Sequence, residues 1–321
     1  MDISPFSAID IKSINYLGNT KKLEYFLLDL HFREAFEDIR AVFTTEQISL
    51  MLSQYTPVIF KPESFASRKI EKALAILAES GFTPLLGKLI RFNPTMVRNV
   101  WQYQFNAANR GRIDLVTMTM TAADSLYVLF RYTKPLEDNA NAIAILANFK
   151  GGSKQDEQSP QTLRYKLGWV NEIMNYSHVP DEPADFVREL GIFFDYRQRQ
   201  EILQSMLADQ VDQADQKEIC TLIHQQCQKI PQHDLNFVKS VQRIKQVCQA
   251  ISTDSARSST ITIALQQILR DCACLELNQK IDWRCFWKNC DAVADINPWD
   301  LYTVLTTHAY LPPLPGVRPV F

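Results

Sequence analysis

An α+β domain held between two helical regions is the fold class the sequence predicts, and three observations predict it. Between residues 55 and 196, short apolar runs rich in β-branched residues alternate with amphipathic stretches. On either side, residues 1–54 and 197–321 repeat apolar residues at helical spacing only. The chain also holds nine glycines in 321 residues, a scarcity that suits helix and leaves little for glycine-built phosphate cradles.

Length favours about two domains, each able to bury its own core. Thirty-four basic residues against thirty-six acidic ones give a net charge of -2, so no overall field marks a binder of nucleic acid or of a membrane surface. No segment reaches the roughly 18 uninterrupted apolar residues of a membrane helix. The start, MDISPFSAIDIKS, lacks a basic stretch followed by an apolar run, and the first twenty residues carry Asp2 and Asp10 but no arginine. Neither an export leader nor a transit peptide is expected, and a cytoplasmic protein is. All seven cysteines fall between Cys220 and Cys290, an odd number that argues for thiols over a disulfide framework.

Taken in order, residues 23–43 read as amphipathic helix, and Thr44-Thr45-Glu46-Gln47 reads as a capping signal for the helix after it. His31 sits in that first helix as a packed or edge-exposed residue. TPVIFKP (56–62) is a strand that stops at Lys61, because Pro62 forces its predecessor into extended geometry. Residues 67–80 form a helix closed by Gly81, and 82–92 a second strand weakened by Pro84 and Gly87. Asn93-Pro94 starts a helix through 105, and another spans about 109–120. SLYVLFRY (125–132) is apolar enough to be a strand buried on both faces, followed by helix at 140–149. Residues 150–164 lack periodicity and read as a long functional loop. A last strand at 173–178 leads to a helix at 183–190. This order describes a small α+β sandwich with helices on one face of its sheet.

The chemistry concentrates at Asn175-Tyr176-Ser177-His178-Val179-Pro180-Asp181, with Glu189 eleven residues after the histidine. An imidazole becomes a phosphoryl acceptor when one ring nitrogen is free and the other is held by an acceptor that fixes the tautomer. Glu189 is the candidate holder.

From about 56 to 195 the sequence resembles the nucleoside diphosphate kinase family. The resemblance rests on Lys61-Pro62-Glu63; on Ser80-Gly81-Phe82, where the family's lysine is missing; on Gly151, Ser153, Pro160 and Thr162-Leu163-Arg164; and on Asn175, His178, Asp181 and Glu189. It implies a ferredoxin-like antiparallel sheet with helices, and a ping-pong reaction in which His178 accepts the γ-phosphoryl of a nucleoside triphosphate and passes it to a diphosphate. It implies that Glu189 orients the histidine. It further implies that Lys61 and Arg164 bind phosphate, that Ser153 offers a hydroxyl and Asn175 an amide, and that Trp101 stands at a tyrosine position. Arg112 falls near the family's base-stacking phenylalanine. Mg²⁺ would arrive with the nucleotide, and no protein metal site is implied. Departures are equally plain: a phosphate-contacting arginine of the family is Ala147 here, and the glycine-serine after the histidine is Val179-Pro180. Such a loss can lower a phosphoryl-transfer rate by about 10³-fold.

Residues 197–321 have no counterpart in the family core and read as an all-α domain after a helical segment at 1–54 and a kinase-like domain at 55–196. Amphipathic helices are expected at 197–230, 235–251 and 259–277, with a loop from Ser252 to Ser259. Cys220, His224 and Cys227 share a helix face, but together with Cys272, Cys274, Cys285 and Cys290 their spacing suits buried thiols better than zinc. His233 and His308 read as loop or packing residues. The tail Leu311-Pro312-Pro313-Leu314-Pro315 is extended, packing along the domain or serving as a docking segment. Three functions stay open: a phosphotransferase, a nucleotide-binding regulator with weakened turnover, and a nucleotide hydrolase. The expected ligands are nucleoside tri- and diphosphates. The resemblance leaves room for a homo-oligomer, which a helical appendage could block, and residues 197–321 leave room for a protein partner.

Overall fold

The computed structural model describes residues 11–137, 140–209, 213–252, 259–309 and 311–320. A 3₁₀ turn, Ile11–Leu17, leads into α1 (Thr20–Phe26), α2 (Leu30–Val42) and α3 (Thr45–Gln54). The expected capping box is present: Thr44 accepts from the Gln47 amide, and the Gln47 side chain accepts from the Thr44 amide in return. Then come β1 (Tyr55–Phe60), α4 (Pro62–Ala66), α5 (Ile70–Glu79) and β2 (Phe82–Ile90). The expected helix at 95–105 is two, α6 (Pro94–Val100) and α7 (Gln102–Phe105), because Trp101 leaves helical geometry at φ -100°, ψ 21°. Next are α8 (Arg110–Met120), β3 (Ser125–Tyr132) and α9 (Ala142–Lys150). The long loop contains a 3₁₀ turn at Gln155–Glu157 and ends in α10 (Leu163–Leu167). The strand expected at 173–178 shrinks to β4 (Ser177–His178), before α11 (Pro183–Phe193).

Four antiparallel strands make one sheet in the order β2-β3-β1-β4. Period-two alternation divides β1 and β3 between two cores. Ile59, Tyr127 and Leu129 face one core, with Phe32, Phe36 and Ile39 of α2 and Phe186, Val187 and Leu190 of α11. Val58, Phe60, Val128 and Phe130 face the other, with Phe65, Ile70 and Leu77 of α4 and α5. Helices therefore cover both faces, where one covered face was expected; the N-terminal helices together with α11 supply the second cover.

The remaining helices are α12 (Tyr196–Ala208), α13 (Gln213–Lys229), α14 (Phe237–Ser252), α15 (Ser259–Glu276), α16 (Trp283–Asp291) and α17 (Pro298–His308). The sequence reading missed the last two, whose short amphipathic runs follow irregular segments. Most of the loop expected at 252–259, residues 253–258, lies outside the described residues, as do residues 1–10 of the N-terminal segment. Residues of α14 to α17 build a third core, joined by Leu115 of α8 and Ile173. α12 contributes Ile202 and Leu203 to the first core, and α13 contributes Ile219 and Ile223 to the second. Gly87 of β2 admits α13 closely: a Cβ there would stand 2.7 Å from Ile219. The tail packs along the domain, with Leu314 N donating to Ala107 O at 2.8 Å and Val320 N to Tyr103 O at 3.2 Å. Among the described residues no helix is long and apolar enough to cross a membrane.

Candidate functional site

His178 sits on the two-residue strand β4, where it pairs with Ile59 of β1. What aims it is the turn before it. Tyr176 adopts a left-handed conformation, φ 72°, which costs a non-glycine residue about 1 kcal/mol or more. Hydrogen bonds on every side impose it. The Tyr176 amide donates to Glu63 Oε1 at 3.1 Å, its carbonyl accepts from Lys61 N at 2.9 Å and Ser64 Oγ at 2.6 Å, and its hydroxyl donates to Gly168 O at 2.9 Å. Thus the segment after β1 clamps the turn that presents Asn175 and His178.

Glu189 lies on α11, and its Oε1 stands 2.6 Å from His178 Nε2. A carboxylate only accepts, so Nε2 carries the proton and Nδ1 keeps its lone pair. Nδ1 makes no hydrogen bond among the described residues. Trp101 meets the imidazole edge-on, with ring centroids 5.3 Å apart at 75°.

All eight sequence-predicted residues, His178, Glu189, Lys61, Trp101, Arg112, Ser153, Arg164 and Asn175, line one cavity of about 580 Å³. Their contacts differ. Lys61 is buried, paired with the buried Glu63 at 3.0 Å and donating to Ile173 O at 2.5 Å. Arg164, at the start of α10, is also buried and donates to Gly151 O and Ser177 O, both at 2.8 Å, and to Asn175 Oδ1 at 3.3 Å. Among the described residues no carboxylate lies within ion-pair distance of it, and its Nε has no partner. Asn175 spends its amide on Glu172 O, at 2.9 Å. Arg112 pairs with Glu172 at 2.9 Å, both of them partly exposed. Ser153 belongs to the loop after Gly151, whose φ of 84° turns the chain away from α9; its carbonyl accepts from Trp169 Nε1 at 2.9 Å.

Burial pushes Lys61 below the ordinary lysine range, against the pull of Glu63, and pushes Arg164 down to about 10. In both, loss of hydration is only partly offset by the neighbouring carboxylates. The acids Asp181, Glu157 and Glu172 stand at the exposed rim, with side chains 66%, 43% and 45% exposed, whereas Lys61 and Arg164 are buried. An anion entering past that rim would meet donors already in place.

Sequence reasoning missed five charged residues of the cavity: the rim acids Glu157 and Glu172, and Lys150, Asp185 and Arg188. Arg188 ties α11 to the N-terminal helices through Asp29 at 2.7 Å, and Asp185 pairs with Lys22 at 2.8 Å. Nothing in the local sequence signals these partners, which lie more than 150 positions away. Lys150 could have been found from its position one helical turn after Ala147. Elsewhere, all seven cysteines are free thiols, and no group of three or more His, Cys, Asp and Glu among the described residues could hold a metal ion. His31 meets Asn99 at 3.1 Å, and His308 stacks on Phe237 at 6.5 Å between centroids.

Residues 54–199 match the family model described as nucleoside diphosphate kinase. Similar solved structures include the nucleoside diphosphate kinase of Aquifex aeolicus, 20% identical, covering 45% of this chain and 97% of that one with a TM-score of 0.37. Another is the halophilic enzyme of Halobacterium salinarum in complex with CDP, 19% identical, covering 46% and 90% with a TM-score of 0.37. A third is a family protein of Babesia bovis, 19% identical, covering 45% and 90% with a TM-score of 0.37. Among curated proteins none matches the chain. Residues 54–199 are a domain of the nucleoside diphosphate kinase family, and the helices that follow lie outside it.

Proposed function

We propose that this domain is a nucleoside diphosphate kinase-like phosphotransferase in which His178 carries the phosphoryl group. The observation that carries the reading is the 2.6 Å bond from His178 Nε2 to Glu189, which leaves Nδ1 unprotonated beside a cavity floored by buried cations. Nδ1 donates its lone pair to the γ-phosphorus as the bond to the bridging oxygen breaks and the diphosphate leaves. The Nε2 proton stays on the hydrogen bond to Glu189, which balances the charge gained by the ring. A second diphosphate then takes the group by the reverse path.

Lys61 and Arg164 neutralise phosphate charge, and Ser153 adds a hydroxyl. A cavity of about 580 Å³ is of the size that small-molecule sites use. Mg²⁺ would arrive with the nucleotide in this reading and would supply further neutralisation of phosphate charge beside Lys61 and Arg164.

One observation favours weakened turnover and a regulatory role. Glu189 Oε2 is buried without a partner among the described residues, in a cavity whose lining includes the Val179-Pro180 that replaces the family's glycine-serine. The two readings separate when the protein is incubated with Mg²⁺ and γ-labelled ATP beside His178→Ala. Acid-labile label on the wild type alone, discharged by a nucleoside diphosphate, is the expected result. Nucleotide binding with no label would overturn the kinase and leave the regulator, while steady phosphate release without transfer would indicate a hydrolase.

A further inference from the structure

Lys150 is the last residue of α9, on the cavity wall one turn beyond Ala147. Its side chain is 12% exposed, yet its ion pair is loose: Asp181 Oδ1 stands 3.6 Å away on a side chain 66% exposed. The other buried cations of the cavity have stronger commitments, Lys61 to Glu63 and a carbonyl, Arg164 to three oxygens and Arg188 to Asp29. Burial and the Arg164 charge push the Lys150 ammonium below the ordinary lysine range, and Asp181 compensates only in part. An ammonium so placed gains from an incoming anion, because the anion replaces a screened, distant partner. Its stem is flexible, and positions 147 and 150 lie on one face of α9, so its charge reaches the space that a longer side chain at 147 would fill.

We propose that Lys150 is a phosphate-binding residue of this site, supplying from the end of α9 the positive charge that Ala147 cannot, and resting on Asp181 while the cavity is empty. The proposal deepens the phosphotransferase reading and rests on it for the identity of the polyphosphate. Asp181 then competes with the substrate for Lys150 and sets how readily the ammonium is released.

The test is calorimetry with ADP and, separately, with inorganic tripolyphosphate, on the full chain and on Lys150→Ala, Asp181→Asn and Lys150→Ala combined with Ala147→Arg. Lys150→Ala should bind both probes roughly tenfold to a hundredfold more weakly at an unchanged melting temperature, as expected for a lost charge-assisted contact. Asp181→Asn should tighten both, which loss of a merely structural ion pair would not do. Ala147→Arg should recover much of the affinity lost with Lys150. Wild-type affinity in Lys150→Ala, or unchanged or weaker binding in Asp181→Asn, overturns the proposal. Tripolyphosphate bound through Lys150 without ADP binding or a phosphoenzyme would sink the nucleotide reading and leave Lys150 standing. Binding of neither probe by the wild type would overturn both.

Discussion

Among the described residues two histidines pair with carboxylates, one part-buried and one buried, and they behave as opposites. His178 meets Glu189 at 2.6 Å, and His233, before α14, meets Asp300 of α17 at 2.8 Å. Around His233 the groups satisfy one another. Its Nδ1 accepts from the Leu235 amide at 3.0 Å, Arg243 donates to Asp300 at 2.8 Å and to Asp234 at 2.9 Å, and the His233 amide donates to Ala66 O at 2.8 Å. Around His178 the accounts stay open. Among the described residues Nδ1 is unengaged, and Arg164 Nε, Glu189 Oε2 and Ser177 Oγ are buried without partners. A histidine beside a carboxylate is thus no sign of chemistry by itself; open valences beside a cavity are.

The largest test of that contrast exchanges the histidines. His178→Ala should remove labelling from γ-labelled ATP by about 10³-fold or more while the fold persists. His233→Ala should do the reverse, lowering unfolding free energy by about 2–4 kcal/mol and leaving labelling per folded molecule intact. Labelling lost in His233→Ala at an unchanged melting temperature would break the comparison.

The carboxylates make the next test. Glu189→Gln cannot stabilise the charged ring, so the labelling rate should fall roughly 10²–10⁴-fold in rapid-quench measurements, with ADP affinity nearly constant. An affinity loss as large as the rate loss would show that Glu189 shapes the cavity and does not serve His178.

Arginines come third. Arg164→Met should weaken ADP binding by roughly tenfold to a hundredfold in titration calorimetry. Its counterpart Arg243→Met should leave binding unchanged and lower stability by about 1–3 kcal/mol in urea unfolding.

The smallest effect is one of pH. Arg243 holds the Asp234 carboxyl down at about 2, below its ordinary 3.8. A depressed carboxylate lends stability that is complete above its unfolded value and lost as pH falls through the folded one, here between about 4 and 2. Asp234 is 38% exposed, so screening limits the term to less than about 1 kcal/mol. Acid unfolding of Asp234→Asn should show a correspondingly shallower pH dependence in that window. An unchanged slope would place the acid sensitivity elsewhere.

Much of the central fold was legible. β1 and β3 showed in their β-branched and aromatic runs, the start of α6 in Asn93-Pro94, and the box at Thr44 in its own spacing, because each signal is local. Trp101 was not legible as a break, since no proline or glycine marks it and the turn is set by packing around α6 and α7. The strand expected at 173–178 shrank for a comparable reason: the hydrogen bonds of Tyr176 go to Glu63, Lys61 and Gly168, and not to a ladder. In the candidate site, the eight residues named from the sequence share one cavity, while Asp185 and Arg188 had no local signature.

By itself the sequence determined which stretches become helix and strand, because periodicity and capping act within a few residues. It also set the order of the residues that meet around His178. Only the tertiary structure decided how each charge is paired, since that depends on which distant carboxylates reach which cations: Asp29 reaches Arg188, Lys22 reaches Asp185, and an exposed Asp181 stands 3.6 Å from Lys150. Pairing between residues far apart in the chain is a property of the fold, and here it separates a buried network from a site with room for an anion.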